Sequence, residues 1–350
     1  MRRRWAVCAA VLSLAAGSVS QAAVFDTIKT IKTGLPGRVT GVTAVKVEYE
    51  QAGAAALLKE VPVNEILTIY YGDDPKELTT AKRQVLEGHY AEALAAVGRV
   101  KGEPGRAEVR QDLEFYKALC TAKLALAGNG KIDDAGRMMK AFADAYPNNY
   151  HYFEATELVG DLLLAFRQYP QAAEYYGRLA KAPWPDYQMR ASVAAGRVLL
   201  AQGRIDEALA AFEKVITNTS GGELAQTQRL LATLEKASAL VALQKPDEAI
   251  LLAEGVLKST DPKDEPLRAQ AYNIEGKAHR QAGRAQEALF AFLHVEFFYS
   301  SVPSAHAEAL ANLADLWEQL HKAERANNAR KMLEERYKDS PWNKKAGQQP

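Results

Sequence analysis

The stretch GRIDEALAAF, residues 203–212, decides the fold, because the chain repeats nearly the same ten residues at two other places. GRAQEALFAF occupies 283–292, and a weaker version, GHYAEALAAV, occupies 88–97. Within the first copy, Ile205, Ala208, Leu209 and Phe212 recur at steps of three and four residues, the spacing of one helical face. Gly203 comes before that face and is typical of a residue that ends a preceding helix. Each copy therefore predicts the turn and second helix of a helical hairpin.

A small residue twelve positions before the alanine completes the pattern. Gly196 precedes Ala208 in this way, and without a Cβ atom it lets the second helix approach its backbone closely. Phe212 lies one turn beyond Ala208 on the same face, where we expect it to fill the space towards the next hairpin. Two further triplets share this spacing: Gly160, Ala172 and Tyr176, and Gly276, Ala288 and Phe292. These nine residues are the predicted packing positions of the repeats.

The hairpin pattern recurs seven times at a nearly constant interval. The anchor alanines are 42, 37, 36, 41, 39 and 38 residues apart, and they are Ala93, Ala135, Ala172, Ala208, Ala249, Ala288 and Ala326. Turn-rich segments at 147–150, 182–185, 217–222 and 259–266 fall between the hairpins. Such a period indicates an array in which each hairpin buries its apolar face on its neighbours.

Glycine, alanine and an aromatic residue at these separations, with EAL or EAI around the alanine, resemble the tetratricopeptide repeat (TPR) family. The resemblance covers residues 79–342, although the interval exceeds the roughly 34 residues usual for the family. The expected fold class is mainly α: an α-solenoid of about seven TPR-like hairpins, preceded by a small all-β domain and a signal peptide. Residues 343–350 form a polar tail.

Residues 24–78 have the two-residue period of strands instead. Val45, Val47 and Tyr49 alternate with charged residues, which predicts a strand with one buried face. Further strands are expected at 27–33, 38–43, 57–62 and 66–71, with a turn at 34–37. The segment resembles a small Sm-like or SH3-like barrel. Sm-like barrels often bind RNA, but no basic, aromatic-rich stripe is present here. We therefore expect the segment to cap the apolar end of the first hairpin.

The first 22 residues have the pattern of a secretory signal peptide. Arg2, Arg3 and Arg4 precede an apolar run over residues 5–16, and small residues flank Gln21, so cleavage is expected after Ala22. An uncleaved anchor is the alternative, but the run falls short of the ~20 apolar residues of a spanning helix. We expect an exported chain, periplasmic or associated with the cell envelope, without a transmembrane segment after cleavage.

Charge and motif content indicate few kinds of chemistry. After cleavage the chain would carry 41 basic and 43 acidic residues, a balance that does not favour nucleic acid as a partner. No histidine has zinc-site spacing, and no serine lies in a G-x-S-x-G motif, so no catalytic residue, metal site or cofactor is predicted. The glycine-rich segment 127–134 reads as a hairpin turn, and Cys120 as a buried, inert thiol. The open alternatives are an envelope enzyme with an unrecognised site and nucleic-acid binding through the barrel.

One aromatic run leaves two interpretations open. LHVEFFY, residues 293–299, is the most apolar aromatic segment of the chain. It is either a docking patch for a partner or membrane, or helix core that packs against the last hairpin. We favour the core interpretation.

The resemblance directs the search for a site to a concave groove. In TPR proteins the first helices of successive hairpins line a groove that takes peptides or partner helices. Three groove positions of one hairpin are Asn273, Lys277 and Arg280, and the Gly196 hairpin contributes Arg197 and Leu200. Asn273 with Lys277 is similar to the family's clamp for a peptide carboxylate; an ordinary solvated helix face is the alternative. The resemblance implies a non-catalytic scaffold that binds a protein or peptide, in envelope assembly, division or secretion.

Overall fold

The computed structural model describes residues 25–53 and 57–346 of the chain. The predicted signal peptide, residues 1–22, lies outside the described residues, as do the last four residues of the tail. The described chain begins with a five-stranded antiparallel sheet in the order β4-β3-β2-β1-β5. Its strands are β1 Asp26–Thr30, β2 Gly34–Val42, β3 Lys46–Gln51, β4 Leu58–Pro62 and β5 Ile66–Tyr70. The predicted five strands are confirmed. Within this sheet β4 and β5 are the two edges and do not pair, so the described strands form an open sheet, and the resemblance to a small barrel stays a prediction.

The predicted turn at 34–37 is wrong, because these residues already belong to β2 and pair with β1. The turn lies just before them, where the Thr30 hydroxyl accepts hydrogen bonds from the backbone N–H groups of Lys32 and Thr33. Gly37 has a packing role instead. A Cβ atom there would lie 2.3 Å from the carbonyl oxygen of Glu50 on β3, so only glycine fits.

Fourteen helices of the described chain form seven hairpins, and a fifteenth short helix follows them. The first helices of the hairpins are α1 Lys76–Leu86, α3 Ala107–Leu126, α5 Tyr152–Ala165, α7 Pro185–Ala201, α9 Gly222–Ala242, α11 Glu265–Gln281 and α13 Pro303–Gln319. The second helices are α2 Tyr90–Val97, α4 Ile132–Ala145, α6 Tyr169–Leu179, α8 Ile205–Ile216, α10 Pro246–Ser259, α12 Ala285–Phe298 and α14 Ala323–Arg336, with α15 at Pro341–Ala346. The protein is thus mainly helical and has a TPR-like solenoid fold.

The small residues lie where neighbouring helices touch. All seven anchor alanines are at most 1% exposed. The sequence pattern predicts that the aromatic residue of the second helix fills the space towards the next hairpin. The structure shows that its ring also covers the glycine on the first helix of its own hairpin. A Cβ atom would lie 2.4 Å from the ring of Tyr176 at Gly160, 2.4 Å from that of Phe212 at Gly196, and 2.7 Å from that of Phe292 at Gly276.

The turn inside each hairpin needs one residue with a left-handed backbone. Gly88, Gly203 and Gly283, which begin the three decapeptides, have φ between 75° and 79°. The amide of Gly203 bonds to the carbonyl of Leu200, and the next amide bonds to Leu199, which closes the preceding helix. In three other hairpins Arg167, Gln244 and His321 hold φ near 60° at the same point. The decapeptide's leading glycine is therefore a backbone requirement of the turn.

The segment that follows α14 contacts the second hairpin, α3–α4. The amide of Asp339 donates to the carbonyl oxygen of Gly128, at 2.8 Å, in the turn between α3 and α4. Ser340 is buried there, and a Cβ atom on Gly128 would lie 2.5 Å from its Cα atom. This contact joins residues separated by more than two hundred positions, so the segment after α14 lies against the turn between α3 and α4.

The aromatic run splits between core and surface. Val295 is buried, but Phe297 and Phe298 are 70% and 68% exposed. The core interpretation is therefore wrong for these two phenylalanines, because α12 turns them away from α13. Cys120 is buried as expected, and burial raises the pKa of its thiol to about 12. None of the described helices has the length and apolar character required to cross a membrane.

Candidate functional site on the first helices

The β domain lies along the first helices of several hairpins, which differs from the expected cap on the end of the first one. The Lys82 ammonium of α1 donates to the carbonyl oxygen of Ile69, and the hydroxyl of Tyr116 on α3 lies 2.7 Å from that of Thr68. Asn64 donates to Asp186 of α7, 3.1 Å away. The sheet therefore forms a wall beside α1, α3 and α7. A cap on hairpin one alone would leave α3 and α7 without these contacts.

A buried ionic cluster holds the wall in place. Lys82 Nζ lies 2.7 Å from carboxylate oxygens of both Asp74 and Asp112, and all three side chains are almost fully buried. Burial raises the pKa of Asp74 to about 6 against the opposing effect of Lys82. Two carboxylates thus share one ammonium, so one of them gains a proton more readily. Sequence reasoning missed this cluster, although Lys82 falls one turn after Leu78 on the buried face of α1.

His151 extends this cluster towards α5. Its ring stacks on Phe115 with a centroid distance of 3.5 Å, and its Nε2 lies 3.5 Å from Asp112. Its Nδ1 lies 3.4 Å from a carboxylate oxygen of Glu154. Burial alone would lower the pKa of His151, but these two carboxylates raise it above its ordinary value. The attraction between His151 and Asp112 stabilises the packing of the start of α5 against α3. The described residues contain no group of three or more His, Cys, Asp or Glu side chains able to hold a metal ion.

A ladder of alternating charge crosses the first helices from α5 to α13. We call it the charge ladder, and it consists of Glu157 and Asp161 on α5, Arg190 and Arg197 on α7, Glu235 on α9, Gln270, Lys277 and Arg280 on α11, and Glu308 and Asp315 on α13. Glu157 bonds to Arg190, and Asp161 lies 3.7 Å from Arg197. Gln270 donates to Glu235 at 3.1 Å. Each helix therefore presents groups that the next one can pair with.

The structure brings together three of the five predicted groove residues on α11. Asn273 is 1% exposed and donates to the carbonyl oxygen of Ala305 at 2.9 Å. Lys277 forms an ion pair with Glu308 at 2.8 Å, and Arg280 forms one with Asp315 at 3.3 Å. These cations are thus neutralised by α13. A contact between these residues and a ligand stays a prediction.

The other two predicted groove residues lie on α7, and α9 separates them from α11. Arg197 belongs to the charge ladder, and Glu235 of α9 attracts it from the other side. Leu200 is half-buried and packs against the core of the α7–α8 hairpin. The five residues therefore do not converge on one point. They are spread across the face formed by the first helices.

A cleft runs along this face beside the β domain. It has a volume of about 360 Å³ and lies between the β domain and α1, α2, α3, α5 and α7. A smaller extension of about 80 Å³ continues between α3, α5 and α7, with Lys123, Glu154 and Arg190 lining both spaces. Sequence reasoning did not find this cleft, because its walls come from segments more than one hundred residues apart.

Comparison with known proteins supports the repeat assignment. The family described as tetratricopeptide repeat matches residues 124–187, 158–223 and 234–296. No curated protein sequence matches the chain.

Three solved structures illustrate the likeness to known folds. NprR in complex with its cognate peptide NprX has a TM-score of 0.56 at 10% identity, over 74% of this chain and 76% of that one. A tetratricopeptide repeat protein from Parabacteroides merdae has a TM-score of 0.47 at 14% identity, over 77% and 96%. PilW, a type IV pilus biogenesis factor, has a TM-score of 0.42 at 14% identity, over 67% and 97%. At these identities the likeness concerns the fold alone. The tetratricopeptide repeat model thus matches within residues 124–296, and the helical part of the chain has a TPR-like solenoid fold.

Proposed function

We propose that this protein is a non-catalytic scaffold that binds a protein segment or peptide on the face formed by its first helices. The observation that carries the proposal is the charge ladder. Four ion pairs belong to it: Glu157–Arg190, Asp161–Arg197, Lys277–Glu308 and Arg280–Asp315. The side chains of these pairs remain 15–32% exposed, so they stay accessible to a ligand. The likeness to NprR, solved with a bound peptide, supports this use of the fold.

The ladder suggests how a ligand is recognised. Lys277 has three N–H donors and contacts one carboxylate, and Arg280 likewise keeps donors free beyond Asn312 and Asp315. The face therefore suits a chain segment that carries charged side chains.

We further propose that the protein is exported and acts in the cell envelope, in assembly, division or secretion. The basic start and apolar run of residues 2–16, followed by small residues near Ala22, support export. N-terminal sequencing of the protein from envelope material tests this, with Ala23 expected as the first residue. A chain that still begins at Met1 in the cytosol would contradict export and leave the binding proposal standing.

Exchange of an ion pair tests the binding face. Random ten-residue peptides with free carboxyl termini are displayed and selected on the full-length chain, and the affinity of an enriched peptide is measured by fluorescence anisotropy. Lys277→Glu combined with Glu308→Lys keeps the ion pair but reverses its direction. We expect binding to weaken about tenfold or more, since hydrogen bonds to charged groups contribute about 1.5–3 kcal/mol.

The exposed pair of Arg284 and Asp247, 2.7 Å apart, provides the matched control. Arg284→Asp combined with Asp247→Arg reverses an ion pair outside the charge ladder and should change the affinity less than about twofold. Equal affinities of both exchange variants and the wild type would overturn the proposed binding face.

A further inference from the structure

The cleft beside the β domain has the construction of a specificity pocket, and the inference drawn from it rests on the proposed function. Its walls come from two different parts of the fold. Asn64, Ile66 and Leu67 belong to the β domain, whereas the opposite side comes from α1, α2, α3, α5 and α7. A volume of about 360 Å³ lies within the range of pockets that enclose small ligands or side chains.

Apolar side chains form part of the lining of this pocket, beside its polar and charged groups. Leu67 of β5 and Leu86 of α1 line it and are 43% and 42% exposed. Phe115 and Leu119 line the inner part and are buried in the core of the first hairpins. An apolar side chain that entered here would cover the two leucines and gain contact with both domains.

One cation in the pocket has unused hydrogen-bonding capacity. Arg190 is held by Glu157, and Glu154 lies against His151. The ammonium group of Lys123, by contrast, forms no hydrogen bond and no close ion pair within the described part of the chain and attracts Glu154 only at longer range, although Lys123 lines both the pocket and its extension. Burial would raise the pKa of Glu154, but His151, Lys123 and Arg190 keep it below its ordinary value, so this carboxylate stays charged and already has cations around it.

We propose that this β-walled pocket binds one large apolar side chain of a peptide ligand, and that Lys123 takes a carboxylate next to that side chain. The carboxylate belongs to an adjacent Asp or Glu or to the peptide's own carboxyl terminus, and its two sources share the same chemistry. The β domain is then part of the binding site. It selects the ligand residue, while the charge ladder holds the remainder of the peptide.

The experiment uses the peptide selection on the full-length chain, and then two variants with matched controls. Leu67→Asp places a charge in the lining of the pocket, and its control, Leu58→Asp, changes a leucine of β4 that is 56% exposed and does not line the pocket. Lys123→Gln removes the cation, and its control, Lys117→Gln, changes an exposed lysine on another face of α3. We expect the two pocket variants to weaken binding about tenfold and the two controls less than about twofold.

The enriched peptides supply the second readout. They should share a Leu, Phe, Tyr or Trp beside an acidic residue or beside the free carboxyl terminus. Amidation of that terminus, or Asp→Asn and Glu→Gln within the peptide, should abolish the effect of Lys123→Gln and so identify the carboxylate source. If Leu67→Asp leaves the affinity unchanged, or if Lys123→Gln weakens acid and amide peptides equally, the pocket proposal fails.

Failure of the pocket and failure of the proposed function give different results. Suppose that the exchange of Lys277 and Glu308 changes the affinity of a peptide that Leu67→Asp and Lys123→Gln leave unchanged. That result would overturn the pocket proposal and leave the proposed binding face standing. Enrichment of no peptide at all would overturn both.

Discussion

Individual small residues control how closely the helices of each hairpin approach. A Cβ atom at Gly196 would lie 2.4 Å from the ring of Phe212, so Gly196→Ala should force the ring or the helix to move. We expect a loss of about 1–3 kcal/mol in the free energy of unfolding, measured by urea denaturation. Gly177→Ala is the control, because nothing lies within 4 Å of its Cβ position in α6. It should stabilise the protein by about 1 kcal/mol through helix propensity. Equal effects of the two substitutions would contradict the packing role of Gly196.

A second prediction at the scale of residues concerns His151. Its pKa is raised in the folded protein, so its charge contributes stability that is fully present below the unfolded pKa of about 6.5 and is lost as pH rises through the folded value. The wild type should therefore exceed His151→Gln in stability by more at pH 6 than at pH 9, as measured by urea denaturation. Asp112, whose pKa is lowered by Lys82 and His151 despite burial, stays ionised throughout this window. A difference that does not change with pH would indicate a neutral His151.

Short-range spacing predicted the small residues of the repeats, because glycine, alanine and aromatic residues lie within sixteen positions of each other in one hairpin. The same reasoning missed the cluster of Lys82, Asp74 and Asp112. Asp112 lies thirty positions beyond Lys82, and a charged residue on an apolar face gives no sign of its partner until the helices are placed. It also failed at Phe297 and Phe298, since helical periodicity does not tell which apolar residues a neighbouring helix covers.

At the scale of elements, the hairpin turns carry backbone strain in three repeats. Gln244 has φ of 60° and an exposed side chain, at the point where Gly203 has φ of 77° in the preceding hairpin. A left-handed conformation costs a residue with a Cβ atom about 1–2 kcal/mol, whereas glycine adopts it freely. Gln244→Gly should therefore raise the free energy of unfolding by about 0.5–1 kcal/mol, and Gly203→Gln should lower it by a similar amount. Calorimetry that found Gln244→Gly destabilising would contradict this reading of the turns.

The sequence predicted which segments are helices and strands more accurately than it predicted their turns. Periods of 3.6 and two residues identified the repeat helices and the five strands. The segment 34–37 has the composition of a turn but lies in β2, because Gly37 must approach the backbone of Glu50 and Thr30 already forms the turn. Composition cannot separate a glycine needed for a turn from one needed for close packing.

At the scale of the whole molecule, the contact between Gly128 and Ser340 holds the segment after α14 against the turn between α3 and α4. Gly128 has φ of 87°, and a side chain there would collide with Ser340. We expect Gly128→Val to break the bond from the Asp339 amide, so that hydrogen exchange at this amide accelerates. Gly88→Val is the control, because Gly88 has φ of 79° but nothing within 4 Å of its Cβ position. Faster exchange at Asp339 in both variants, or in neither, would contradict the role of this contact.

The arrangement of the whole molecule could not be predicted from the repeat pattern. The interval of 36–42 residues indicates a solenoid, but its curvature depends on small rotations between hairpins that no single spacing encodes. The return of Ser340 to Gly128 and the position of the β domain beside α1, α3 and α7 follow from that curvature. The pocket at Lys123 exists only because of this position, and this is why the sequence predicted a groove but not the pocket.

The most direct test of the central claim, that ligands bind on the face formed by the first helices, is photo-crosslinking of an enriched peptide. The photoreactive amino acid p-benzoylphenylalanine replaces Leu200 on α7, one turn from Arg197, or Leu251 on α10, which is 69% exposed and lies on a second helix. Binding on the first helices predicts crosslinks from position 200 that unlabelled peptide suppresses, and none from position 251. Crosslinks from position 251 with none from position 200 would place the ligand on the second helices and contradict binding on the first helices.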